Sequence, residues 1–129
     1  MSRVLALVDD LMLLSRVREA ARGAGVEVRP VRQPAQLLEG VREGGGLVVV
    51  DADSSRLPWS DALATLRREK LLDTVPVVAF FSHVHPEQAE KARAAGCDRV
   101  LARSAFVKAL PDLIAASAEQ SPSLEDPTP

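Results

Sequence analysis

The chain has 129 residues, 47% apolar and 26% charged, and its 16 basic and 18 acidic side chains leave a net charge of −2. That length supports one domain with its own core and argues against a second, and the apolar content excludes disorder throughout. Arginines scattered along the chain disfavour nucleic acid, no apolar run nears the ~20 residues of a membrane span, and the single Cys97 with no opening signal segment fits a soluble, cytoplasmic protein.

Short apolar runs alternate with segments of helical period, the pattern of repeated strand–helix units around a parallel sheet. A first strand is expected over 3–8. A helix follows from 11, with Leu14, Val17, Ala21 and Ala24 on one face and Gly23 and Gly25 at its end. The second strand, 26–31, contains Pro30 and alternating polar residues; proline cannot donate to a ladder, so this strand is expected at the sheet edge. Helix two, 34–43, carries Leu37, Leu38 and Val41 at helical spacing, and the glycines 44–46 connect it to a third strand, LVVV, at 47–50.

Helix three is expected from Pro58 to Leu72, with Leu63 and Leu66 inward and Arg67, Arg68, Glu69 and Lys70 as a solvated face. Strand four covers 75–81, helix four 86–96 and strand five 98–102. Because proline disrupts a helix interior, Pro111 is taken to start the last helix, 111–119, leaving 104–110 as an irregular or separate turn. The segment 121–129 has too few apolar residues to offset its ordering entropy, so it is expected to be a disordered tail on a domain of residues 1–120.

The third strand stops abruptly at Asp51, and Asp9 and Asp10 follow the first. In an open parallel sheet, ligands bind beyond the carboxyl ends of the strands. If these two strands are neighbours, three carboxylates converge in one crevice, a set of hard oxygen donors suited to a magnesium ion that also holds a phosphoryl group. The segment VDDL (8–11) stands where a nucleotide fold carries glycines, and acids repel phosphate unless a cation intervenes, which disfavours dinucleotide binding. The competing reading makes these acids no more than polar strand ends, with Asp9 or Asp10 capping the first helix.

On these residues the chain resembles the receiver domain of bacterial response regulators, over about residues 3 to 119. VDD (8–10) is similar to that family's acidic pair, VVVD (48–51) to the strand ending in its phosphoaccepting aspartate, and VPVV (75–78) and AAGCDRVLARSAF (94–106) to its later strands. The resemblance implies an α/β flavodoxin-like fold, a five-stranded parallel sheet in order 2-1-3-4-5 with helices on both faces. It also implies that Asp51 is the phosphoryl acceptor and that Asp9, Asp10 and Asp51 are the Mg2+ ligands.

Two later positions depart from the family pattern. Seven residues beyond Gly96, where the family has a lysine, stands Arg103, followed by Ser104 in place of a proline; five beyond Pro76, where it has a Ser or Thr hydroxyl, stands Phe81. Ser82 supplies that hydroxyl only if the strand exit is bulged, since a slip of one residue turns a side chain to the other face. A guanidinium is planar and suited to carboxylate pairing, so Arg103 is placed to pair with Asp51 or Asp10 and relieve the repulsion between the acids without a metal.

The remaining signals are weaker. His83 and His85 form an H-x-H pair with no third nearby ligand, which favours loop packing over a zinc or acid–base role and leaves a small metal-dependent hydrolase as a distant alternative. Asp53 reads as a turn residue, Cys97 as a small buried apolar one, and Trp59 as a half-buried residue at a helix start.

The expected function is that of a stand-alone, atypical receiver-like signalling domain without normal phosphoryl switching. It acts on a protein partner, a histidine kinase or a downstream signalling protein, through the face of helix four, strand five and helix five, with the exposed residues around Ala102 to Leu110 as the first interface candidates. The alternative is a working single-domain regulator phosphorylated on Asp51 with Mg2+, with Ser82 and Arg103 replacing the switch hydroxyl and lysine.

Overall fold

A computed structural model describes residues 3–82 and 85–119. Strands β1 (Arg3–Leu7), β2 (Glu27–Pro30), β3 (Leu47–Asp51), β4 (Val77–Phe81) and β5 (Arg99–Ala102) alternate with helices α1 (Leu11–Ala24), α2 (Pro34–Arg42), α3 (Trp59–Arg68), α4 (Pro86–Ala94) and α5 (Arg103–Glu119). The strands form one parallel sheet in the order β2-β1-β3-β4-β5. β3 and β4 lie inside the sheet with a helical layer on each face, and every residue of both is buried, which is why they read as unbroken apolar runs. β2 takes the edge, as its proline requires, with partly exposed residues throughout.

Alternate residues along a strand face opposite sides, so the core has two halves. Leu5, Leu7, Val48, Val50, Ala79 and Phe81 pack with Leu37 and Val41 of α2 and Leu63 and Leu66 of α3. Val4, Ala6, Val49, Val78 and Phe80 pack with Leu13 and Val17 of α1 and Phe106, Leu110 and Ile114 of α5. The face of α1 is rotated from the expected one: Leu13, Val17 and Ala21 are buried, while Leu14 is half-buried and Ala24 exposed. Gly25 ends that helix in the left-handed region at φ 70°, where a side chain is disfavoured.

Two elements correct the sequence reading. α3 starts after Pro58 and ends at Arg68, and a separate 3-10 turn covers Leu72–Thr74. Lys70 makes that break by adopting a left-handed φ of 61°, which lets Lys70 N–H reach the Arg67 carbonyl and Leu71 N–H the Leu66 carbonyl, closing the helix as a glycine normally would.

The other correction is α5, one helix of 17 residues that runs through 104–110 and keeps Pro111 in its interior. An interior proline costs about 3 kcal/mol. Against that, Phe106, Leu110 and Ile114 recur at four-residue spacing and are buried, each contributing roughly 1.5–3 kcal/mol. Phe106 also stacks on Phe80 of the sheet at a centroid distance of 4.8 Å. The stripe outweighs the proline, which sits on the exposed side. The segment 121–129, expected as a tail, lies outside the described residues.

Candidate functional site

The site forms where the chain leaves β1, β3 and β5. β1 pairs with β3 with Leu7 opposite Val50, which brings the turn after β1 level with the end of β3. Asp51 ends that buried strand and is itself only 5% exposed. Its Oδ2 accepts the backbone N–H groups of Asp9 and Asp10, at 3.2 and 3.3 Å. Burial pushes the Asp51 carboxyl above the ordinary carboxylate range; the backbone amides of Asp9, Asp10 and Asp53 oppose this shift, and the Asp53 charge adds to it.

Asp10 occupies both of its oxygens with protein groups. Oδ1 accepts from Met12 N–H and Leu13 N–H, at 3.0 and 3.2 Å, capping α1. Oδ2 meets the Arg103 guanidinium at 2.5 Å. Partial burial acts to raise this carboxyl, but the Leu13 amide, Arg103 and the Met12 amide together hold it below the usual value. Of the two partners open to Arg103, the structure selects Asp10. Because α5 begins at Arg103 directly after β5, this side chain is delivered to the crevice without an intervening loop.

Asp9 has a different set of neighbours. Ser54 Oγ donates to its Oδ2 at 3.3 Å, and the guanidinium groups of Arg32 and Arg56 stand 4.0 and 3.9 Å away. Sequence reasoning missed these two arginines, which come from the loops after β2 and β3; only the fold brings them to Asp9. It also undervalued Asp53, whose Oδ2 accepts the Ser82 backbone N–H at 2.5 Å and so ties the exit of β3 to that of β4.

Phe81 is 3% exposed and packs into the core half that contains Leu57 and Trp59. Ser82, one residue on, is exposed and lines a groove with Arg103, Met12, Leu13 and Arg16. Ser82 and Arg103 therefore share one wall, while Asp9, Asp10 and Asp51 share the opposite one. His85 is the residue before α4 and is exposed; His83 lies outside the described residues. Cys97 is buried, and that burial, with the adjacent Asp98 charge, pushes its thiol up to about 12.

Three aspartates in one crevice are a donor set chemically compatible with Mg2+. Their arrangement divides them among separate protein partners, and among the described residues no group of three His, Cys, Asp or Glu side chains is placed to hold a metal ion. No helix among these residues is long and apolar enough to cross a membrane.

No protein-family model matches the chain, and no curated protein sequence does. Solved structures do. A two-component response regulator from Legionella pneumophila superposes with a TM-score of 0.76 at 12% identity, over 93% of this chain and 100% of that one. A response regulator from Hahella chejuensis gives 0.75 at 18% identity, over 91% and 95%. The chemotaxis response regulator CheY4 of Vibrio cholerae gives 0.71 at 17%, over 91% and 98%. At such identities the likeness is one of architecture: with its five parallel strands in the order 2-1-3-4-5, this chain has the flavodoxin-like fold of response-regulator receiver domains.

Proposed function

We propose that the protein is a receiver-like signalling domain that works through protein contacts with its acidic site held closed by arginine. The observation that carries this reading is the 2.5 Å contact between Arg103 and Asp10. The pair offsets charge in the acid cluster with a guanidinium, which suits a constitutive structural bond better than a centre that must admit a cation and a phosphoryl group. The burial of Phe81 supports it, since the last residue of β4 then offers no hydroxyl to the crevice.

A second reading is favoured by the three carboxylates themselves: phosphorylation of Asp51 with Mg2+ held by Asp9, Asp10 and Asp51, and with Ser82 and Arg103 as the polar groups of the facing wall. Its expected partner is a histidine kinase; that of the first reading is a downstream signalling protein.

Trp59 is the chain's only tryptophan and there is no tyrosine, so its fluorescence reports on the core half that contains Val50, the residue before Asp51, and Phe81 at the end of β4. Titration with magnesium and then beryllofluoride, a mimic of aspartyl phosphate, is expected to leave the wild-type signal flat, with calorimetry agreeing. Arg103→Ala is expected to lower stability and to gain magnesium binding. A saturable wild-type response to both reagents, abolished by Asp51→Asn, overturns the closed-site reading in favour of the second.

A further inference from the structure

At the other end of the sheet from the acid crevice, where β4 and β5 begin, a cleft of about 410 Å³ lies between the C-terminal ends of α3 and α4. Arg67, Lys70 and Arg93 line it together with Asp73 and Asp98. Through these two acids it adjoins a second, polar groove of about 370 Å³ beside Thr74. Cations and carboxylates thus share one concave surface, yet among the described residues none of the five enters an ion pair. Charges of both signs left uncombined in a cleft match a ligand that carries an anion at one end and hydrogen-bond donors at the other.

Cations in the last turn of a helix also offset its exposed carbonyls, and Arg67 does so by donating to the Ala94 carbonyl at 3.0 Å. Lys70 and Arg93 have no such partner among the described residues. Lys70 is also the one non-glycine residue among them with a left-handed φ, 61°. A glycine would close α3 there at less cost, so the turn itself does not call for a lysine. At the acid end, Asp98 Oδ2 accepts the Val77 N–H at 2.7 Å, which fixes the carboxylate, while Oδ1 takes no hydrogen bond from the described residues. We propose that this cleft binds a nucleoside monophosphate, with the phosphate on Lys70, Arg93 and the remaining N–H groups of Arg67, and the donor groups of the base on Asp73 and Asp98. Such a ligand has both ends that the cleft requires, and the volume lies within the range of small-molecule sites. The cleft and the acid crevice lie at opposite ends of the strands, so the proposal stands independently of the closed-site reading.

The probe is adenosine monophosphate, titrated into the full chain and followed by amide NMR, with adenosine and ribose 5-phosphate as its two halves. The whole nucleotide is expected to shift the amides of Lys70, Leu72, Arg93, Gly96 and Asp98 and to bind about tenfold tighter than either half. Lys70→Gly is expected to raise the melting temperature and to weaken the nucleotide several-fold, a split that a lysine serving only the turn does not produce. Arg93→Ala, at an exposed residue, is expected to weaken the nucleotide similarly with melting unchanged. Asp73→Asn, also at an exposed residue, is expected to weaken the nucleotide and leave ribose 5-phosphate unaffected.

No shift in the cleft, or shifts centred instead on Asp9, Asp10 and Asp51, overturns the site. Ribose 5-phosphate binding as tightly as the nucleotide overturns the role of the acids and with it the nucleotide assignment. Adenosine binding as tightly overturns the role of the cations. Affinity unchanged in Lys70→Gly assigns that lysine to the helix turn alone and overturns its part in the site, whatever the melting temperature does.

Discussion

The two walls of the crevice were built by different rules. On the β1–β3 wall, Asp51 sits where a buried strand surfaces and is held by two backbone amides of the next chain exit, so its place follows from strand order and register. On the β4–α5 wall, nothing in the backbone dictates the chemistry: Phe81 has gone into the core, Ser82 is turned outward, and Arg103 reaches across to Asp10. The fold preserves where a site lies, while the side chains of the facing wall decide what the site can do.

The largest effect is expected from breaking the support under the second wall. Phe106→Ala removes the ring stacked on Phe80 beneath the start of α5 and should cost about 3–5 kcal/mol in chemical denaturation. A loss under 1 kcal/mol would mean that α5 is not anchored by this stripe. Next comes the bond between the walls. Asp10→Ala loses both the cap on α1 and the Arg103 partner, for roughly 1–2 kcal/mol, whereas Asp10→Asn keeps an acceptor for the cap and should lose less than half of that.

Asp51→Asn should act in the opposite direction and stabilise the fold at pH 7, by on the order of 1 kcal/mol, because a buried charge is replaced by a neutral acceptor. The pH dependence sharpens the contrast. The folded value of Asp51 is raised, so its ionisation destabilises fully above that value, and the penalty disappears as pH falls to the ordinary 3.8. The folded value of Asp10 is lowered, so its contribution is complete above 3.8 and is lost as pH falls through the folded value. Thermal melts from pH 7 to 3 should therefore show the Asp51→Asn advantage shrinking with acid; an advantage independent of pH would remove the buried charge as its cause.

The smallest effect is expected at Cys97, away from both walls. With its thiol pushed up to about 12 and buried, it should resist a thiol reagent at pH 8 in the native state and react at once in denaturant. Rapid native labelling would show that the core opens near β5.

Most of the architecture was legible before the structure, because the relevant signals are local. Apolar runs such as LVVV and VVAFF can be satisfied only inside a sheet, and Pro30 can lie only at its edge. The breaks were harder. Lys70 carries no residue-type signal for a left-handed conformation, and the burial stripe that overrides Pro111 is visible only once Phe80 is known to face Phe106. Asp9, Asp10 and Asp51 were readable as one cluster because each ends or follows a strand.

By itself the sequence determined the order of elements, the edge and centre of the sheet and the address of the acids, since periodicity and strand ends are properties of the chain. Only the tertiary structure decided how those acids are used: Arg103 is 93 positions from Asp10, and Arg32 and Arg56 approach Asp9 from two other loops. Which cation meets which carboxylate depends on where separate chain exits meet in space, and no local pattern encodes that.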